Sequence, residues 1–370
     1  MKRINILPAA LTSVALTLLA PMAAAQTTNR LNANKINEYA LIYTLPQNGF
    51  AATLAAEKTV KTPGPFALYA KRYLHLDPIL EASTSWRIVG AELSLTAVED
   101  LDERYQVQFK SGSTPFMLLS PEGFPLSVNA ESVVELSSAS SLKARQAEPT
   151  ILETDVARQA MTEDMLKSTS TAKRAELAAA RIYEIRQNRA EIIAGQSDAM
   201  PADGAAMQLA LDQLAAQEAA LTAMFVGTEA TSVEVRTFEF DAPADSVGTQ
   251  RFVVARLSQV EGLLPADNLA GAPVYADFSD LRLGELPMDD KGRQKNFPKG
   301  GLAYRIPGSV KAALVYDGKT LCSGRFDVAQ YGCVFGIDPG LFADKKAPAY
   351  AKFHPLTGAL LELGTLAKPE

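Results

Sequence analysis

The chain has 370 residues, 47% of them hydrophobic and 21% charged, with 42 acidic against 36 basic side chains for a formal net charge of −6. That composition describes a globular chain and excludes a disordered one. The acidic balance excludes nucleic acid as a partner, because phosphate binding requires a clustered basic surface.

Lys2 and Arg3 begin the chain, an apolar stretch runs from Ile4 to Leu19, Pro21 breaks any helix, and Ala23, Ala24 and Ala25 precede Gln26. This three-part pattern predicts a signal peptide over residues 1–25, cut between Ala25 and Gln26. The apolar run falls short of the ~20 residues that span a bilayer, and no cysteine follows the cut. The expectation is a mature chain that is soluble, without a membrane span, and periplasmic or secreted. Cleavage removes two positive charges and leaves a more acidic protein. The roughly 345 residues that remain exceed one ordinary core, so more than one packed unit is expected.

From about Asn37 to Leu136 the pattern is β. Tyr39 to Leu45 and Phe50 to Val60 read as strands separated by the turn residues Pro46, Gln47, Asn48 and Gly49. Val89, Ala91, Leu93, Leu95 and Ala97 alternate with smaller or polar residues at period two. One short helix interrupts, with Pro65 at its first position and Phe66, Tyr69 and Tyr73 on one face. Ser137 to Ala147 reads as a linker.

From about Thr154 to Val226 helix formers dominate. Ala178, Ile182, Ile185, Arg189 and Ile192 form one stripe, closed by Gly195 as a cap. Pro201 and Asp203 open a second helix whose stripe is Met207, Leu211, Leu214, Glu218, Leu221 and Phe225, closed by Gly227. Two long helices joined by a short loop predict an antiparallel hairpin. Glu218 sits in its seam and needs a basic partner; packing about residue 199 brings Arg181 level with it, with Arg186 and Arg189 on the same helix.

From Thr231 the β pattern returns over Val233–Phe240, Arg251–Leu257 and Val310–Tyr316. Asp317-Gly318 marks a two-residue hairpin turn, and Pro355 to Gly358 a second hairpin between Tyr350–Phe353 and Ala359–Leu363. The fold class expected is therefore α+β: two mainly antiparallel β units, sandwich or barrel-like, with a long helical hairpin inserted between them. The divisions are a β unit over 26–150 with one short helix, the hairpin over 151–228, and a β unit over 229–370.

No catalytic, metal or cofactor signature emerges. The two histidines, His75 and His354, are far apart and lack a neighbouring nucleophile or metal-ligand spacing. Gly318-Lys319-Thr320 ends like a phosphate loop, yet Ala313 stands where its first glycine belongs, and the hairpin turn explains Asp317-Gly318. Glu99-Asp100, Asp102-Glu103 and Asp289-Asp290 read as solvated turn acids rather than a glycosidase pair across a cleft. Cys322 and Cys333 form a candidate disulfide in an oxidising compartment, without the C-x-x-C spacing of a redox centre.

Several blocks resemble one family. They are Glu57-Lys58-Thr59-Val60, Gly64-Pro65-Phe66, Tyr69 to Leu74, Ile182 to Arg189, Met200 to Gly204 and Gln217 to Gly227. They continue with Gly271 to Tyr275, Tyr304-Arg305-Ile306-Pro307, Ala329-Gln330-Tyr331-Gly332, Phe353-His354-Pro355 and Thr357-Gly358-Ala359. Together they resemble bacterial domain-of-unknown-function family 4831. The resemblance implies an exported protein of Gram-negative bacteria and carries no assigned activity. The glycine and proline blocks have structural readings. Glu57, Lys58, Tyr304, Arg305, Gln330 and Tyr331 do not, and the last four are the candidate partner-binding residues.

The functional expectation is a non-enzymatic envelope module that binds another envelope protein or a glycan, with no cofactor. The alternatives are a cofactor-free glycan or peptide hydrolase using dispersed carboxylates, and a periplasmic chaperone-like accessory, which an uncovered edge strand would favour.

Overall fold

The computed structural model describes residues 27–30, 40–108, 116–131, 134, 140–196, 204–243, 250–343 and 347–366. The signal segment with its cut at Ala25 and Gln26, and the helix start at Pro201 and Asp203, lie outside them. In chain order the elements are β1 (Thr27–Arg30), β2 (Leu41–Thr62), α1 (Ala70–Leu74), β3 (Ser83–Gln108), β4 (Met117–Leu119) and β5 (Pro125–Val128). Then come α2 (Asp155–Ala160), α3 (Glu163–Lys167), α4 (Thr171–Ala194) and α5 (Gly204–Val226). The rest is β: β6 (Thr228–Asp241), β7 (Gln250–Ser258), β8 (Gly262–Pro265), β9 (Ala272–Arg282), β10 (Leu302–Tyr316), β11 (Lys319–Ile337), β12 (Ala349–Phe353) and β13 (Leu360–Thr365).

The protein is mostly β, in antiparallel sheets ordered β1-β3-β2-β6, β11-β10-β9-β7-β8 and β13-β12-β5-β4. Strands on either side of the helical segment share sheets. β6 pairs with β2 over Thr228–Asp241, and β12 pairs with β5. The long strand β2 joins two cores. Its Phe50, Ala52, Leu54 and Ala56 alternate toward the second sheet, where Val274, Phe278 and Leu314 meet them. Phe50 packs edge-on against Phe278 at 5.0 Å and Phe326 at 5.5 Å between ring centres, a favoured aromatic geometry. Tyr43 and Leu45, earlier on β2, pack with Tyr105, Val107, Val128, Ala351 and Phe353 against the third sheet.

The turn expected at Pro46–Gly49 is not a turn. β2 continues through it, paired with β3 on both sides, because Pro46 sits at a register shift where its missing N–H costs no ladder bond. The acids 99–103 likewise lie within β3, not in a turn: Thr44 pairs with Arg104 and Pro46 with Glu99, so residues 100–103 bulge opposite Leu45. The hairpin at Asp317-Gly318 has φ of 48° and 70° at its two centre residues, the backbone that a two-residue loop requires.

The expected linker is partly a strap. Ser140 and Ser141 donate to Glu92 of β3 and hold its carboxyl below the usual range. Leu142 lies where a side chain on Gly90 would stand, and Arg145 exchanges two backbone hydrogen bonds with Val233 of β6, at 2.9 and 2.7 Å.

The helices share a separate core. Ala178, Ile182 and Ile185 of α4 and Leu221 and Phe225 of α5 are fully buried with Phe66, Ala70 and Leu74. Ser170 caps α4 at its start, and Gly195, at φ 69°, closes it. Glu218 pairs with Arg186 at 2.7 Å and Arg189 at 2.6 Å. Burial pushes its carboxyl up, but the two guanidinium donors outweigh that and hold it below the usual range. Arg181 instead pairs with Glu184 one turn on. Pairing of Glu218 with Arg186 and Arg189 sets the centre of the helix pairing later than residue 199. Among the described residues no helix is long and apolar enough to cross a membrane.

A cleft at the Asn48 corner

A cleft of about 710 Å³ opens where β2, β3, β6 and β11 meet. Its floor is Asn48 and Gly49; Thr96 and Val98 line one side, Glu239, Phe240 and Asp241 the other, and Gln330 and Tyr331 close the end. The corner exists because β11 bulges. Gly308 pairs with Val328 and Ile306 with Cys333, which leaves residues 329–332 outside the ladder and carries them toward β2. Gly332 makes that bulge feasible, since a Cβ there would stand 1.7 Å from the Ile306 carbonyl oxygen.

Asn48 is 3% exposed and fully engaged. Its Nδ2 donates to the Thr96 oxygen at 3.0 Å and the Leu356 oxygen at 2.9 Å, and its Oδ1 accepts from the Ala329 N–H at 2.8 Å. The Gln330 amide treats the Asn48 main chain as a neighbouring strand would: Oε1 accepts from its N–H at 2.9 Å, and Nε2 donates to its oxygen at 2.7 Å. Tyr331 donates to the Pro243 oxygen at 2.7 Å. These bonds satisfy groups that would be costly to bury alone.

The four candidate partner-binding residues therefore divide. Gln330 and Tyr331 line the cleft. Tyr304 and Arg305 lie at the start of β10, away from its lining. Arg305 is 6% exposed, pairs with Asp100 of β3 and donates its backbone N–H to the Gly358 oxygen at 3.0 Å. Tyr304 stacks edge-on with Phe335 at 6.3 Å, and burial pushes its phenol up. Glu57 and Lys58 also have cross-strand partners: Glu57 pairs with Arg87 at 2.8 Å, and the Lys58 ammonium lies 5.6 Å from the centre of Trp86.

Cys322 and Cys333 are free thiols. Both lie on β11, opposite Leu314 and Ile306 of β10, and that stretch of β10 separates them by on the order of 25 Å, far beyond disulfide reach. The expected bond is not formed in this fold, and burial raises both thiols above their usual range. His354 uses its Nδ1 to accept from Leu356 and Thr357, each at 3.3 Å, within the second hairpin turn. Burial pushes its imidazole down, which suits that acceptor role. Among the described residues no cluster of three His, Cys, Asp or Glu is placed to hold a metal.

Sequence reasoning missed Asn48, Thr96, Glu239 and Asp241. The asparagine was legible only as a turn residue and Glu239 only as a position within the strand Val233–Phe240, which stops short of Asp241. Glu239 and Asp241 are the acidic residues of the cleft lining, exposed on one wall and one strand. A glycosidase needs its two carboxyls on opposite sides of the bond it cleaves, and this wall has no acidic counterpart across the cleft.

The sequence profile of one family, described as a domain of unknown function (DUF4831), matches residues 39–361. No curated protein and no solved structure matches the chain.

Proposed function

We propose that the chain, which belongs to this DUF4831 family of domains of unknown function, is an exported, non-enzymatic binding module of the cell envelope. Its ligand is a segment of another envelope protein or a glycan, held in the cleft at Asn48. The observation that carries this reading is the contrast within the cleft. Its floor and end are locked by internal hydrogen bonds from Asn48, Gln330 and Tyr331, whereas the exposed Glu239 and Asp241 make no hydrogen bond or ion pair among the described residues. A rigid concave surface with unused polar groups at its rim is built to bind.

Export rests on the Lys2-Arg3, Ile4–Leu19 and Ala23–Ala25 pattern, and places the protein in the periplasm or outside the cell. On this reading residues 151–228 are a helical hairpin inserted in a β body built by the strands before and after it. N-terminal sequencing of the mature protein checks export, with Gln26 as the expected first residue; an intact Met1 contradicts it. A photo-cross-linker at Gln47, in the cleft lining, tests binding in cells. The reading requires a recurrent protein or glycan adduct identified by mass spectrometry, and the absence of both overturns it.

A further inference from the structure

β6 is the edge of its sheet, and among the described residues no strand pairs with its outer side beside the cleft. Arg145 exchanges hydrogen bonds with both the N–H and the C=O of Val233, so the main-chain groups of Val233 point away from β2. The β2–β6 register runs without a shift from Gly49/Asp241 to Thr62/Thr228. By the alternation of an antiparallel ladder, Val235, Thr237, Glu239 and Asp241 then also aim their N–H and C=O outward, while Arg236, Phe238 and Phe240 bond to β2. Among the described residues no backbone group pairs with that outward row beyond Val233.

A second long edge, on β11, is differently built. Lys319, Arg325 and Asp327 lie along it, and the bulge at residues 329–332 interrupts it, both of which discourage pairing. The β6 edge lacks a bulge, ends on the cleft, and has already accepted one antiparallel segment, the strap at Arg145.

We infer that the edge of β6 from Val235 to Asp241 accepts an extended segment of a partner polypeptide as an added strand, with basic side chains set against Glu239 and Asp241. This rests on the reading of the cleft as a binding site and commits it to a polypeptide ligand. Residues directly opposite in an antiparallel pair share a face, so lysine or arginine at alternate positions of the guest meets Thr237, Glu239 and Asp241 in turn. Charge complementarity selects that partner, because the cleft lining contains two carboxylates and no Lys, Arg or His. Main-chain bonds supply affinity and the carboxylates supply choice.

The test uses the mature full-length chain and a blocked heptapeptide alternating valine and lysine, with binding read by calorimetry. Two analogues accompany it, one with glutamate for lysine and one N-methylated at every lysine. The inference expects the lysine peptide to bind and both analogues to bind at least ~10-fold more weakly, about 1.4 kcal/mol. The Glu239→Lys, Asp241→Lys double variant is expected to reverse the preference between lysine and glutamate peptides. Val235→Pro removes one outward N–H without touching the β2 ladder, and is expected to weaken the lysine peptide ~10-fold while the variant keeps its unfolding midpoint within a few degrees. Failure of the lysine peptide to bind, or equal binding of its N-methylated form, overturns strand addition. If adducts at Gln47 persist in cells under either result, the cleft remains a binding site for a ligand held in another way.

Discussion

Two stretches of one sheet, on the neighbouring strands β2 and β6, are finished in opposite ways. At Asn48 every side-chain donor and acceptor has a partner drawn from β3, β11 or the hairpin at Leu356, and the Gln330 amide completes the main chain as well. Along the outer side of β6 a row of main-chain groups from Val235 to Asp241 has no backbone partner among the described residues. Buried polar groups left single are costly, so the corner is built for rigidity. Exposed ones are solvated at little cost and remain available for pairing. The difference separates what holds the cleft from what would engage a ligand, and substitutions distinguish the two.

The largest expected effect is at the corner. Asn48→Leu strands the Ala329 N–H and the Thr96 and Leu356 oxygens, and is expected to cost about 3–5 kcal/mol in urea unfolding. A loss below ~1 kcal/mol would show that the corner is not the anchor described. Gly332→Ala follows, at about 2–3 kcal/mol, since its Cβ meets the Ile306 backbone and closes the bulge that presents Gln330 and Tyr331. Unfolding by guanidinium measures it, and a neutral result contradicts the bulge geometry.

Away from the corner the effects shrink. Glu218→Gln is expected to cost about 1 kcal/mol, because its arginine partners are more than a third exposed and solvent screens the pairs. The Glu218 contribution is present above the ordinary glutamate range and lost as pH falls through its lowered folded value. His354 gives the smallest effect. Its lowered imidazole contributes stability that is complete above the ordinary histidine value and declines as pH falls toward the folded one. Melting temperature should therefore drop between about pH 7 and pH 5, and His354→Asn should flatten that slope. A slope unchanged by the substitution removes His354 as its source.

Much of the secondary structure was legible because it follows from local rules. Gly195 and Asp317-Gly318 sit where positive φ is required, and the stripe Ala178, Ile182, Ile185 is buried as its spacing demands. The candidate site was legible only in half, through Gln330 and Tyr331. Asn48 misled because Pro-Gln-Asn-Gly forms turns in isolation, whereas pairing with β3 and a bulge in β11, nearly three hundred residues away, supply the partners that keep β2 extended. Cys322 and Cys333 misled for a related reason: their spacing permits a bond only if the chain doubles back, and β11 instead pairs with β10 on both sides of its bulge, at Leu314 and at Ile306. The openness of β6 has no sequence signature, since it depends on which strand happens to lie beside it.

Amide hydrogen exchange along β6 in the unliganded protein tests the central contrast most directly. Slow exchange at Arg236, Phe238 and Phe240, which bond to β2, with fast exchange at Val235, Thr237, Glu239 and Asp241, is the result predicted. Equal protection of both sets would show that the edge is already covered and would contradict the account.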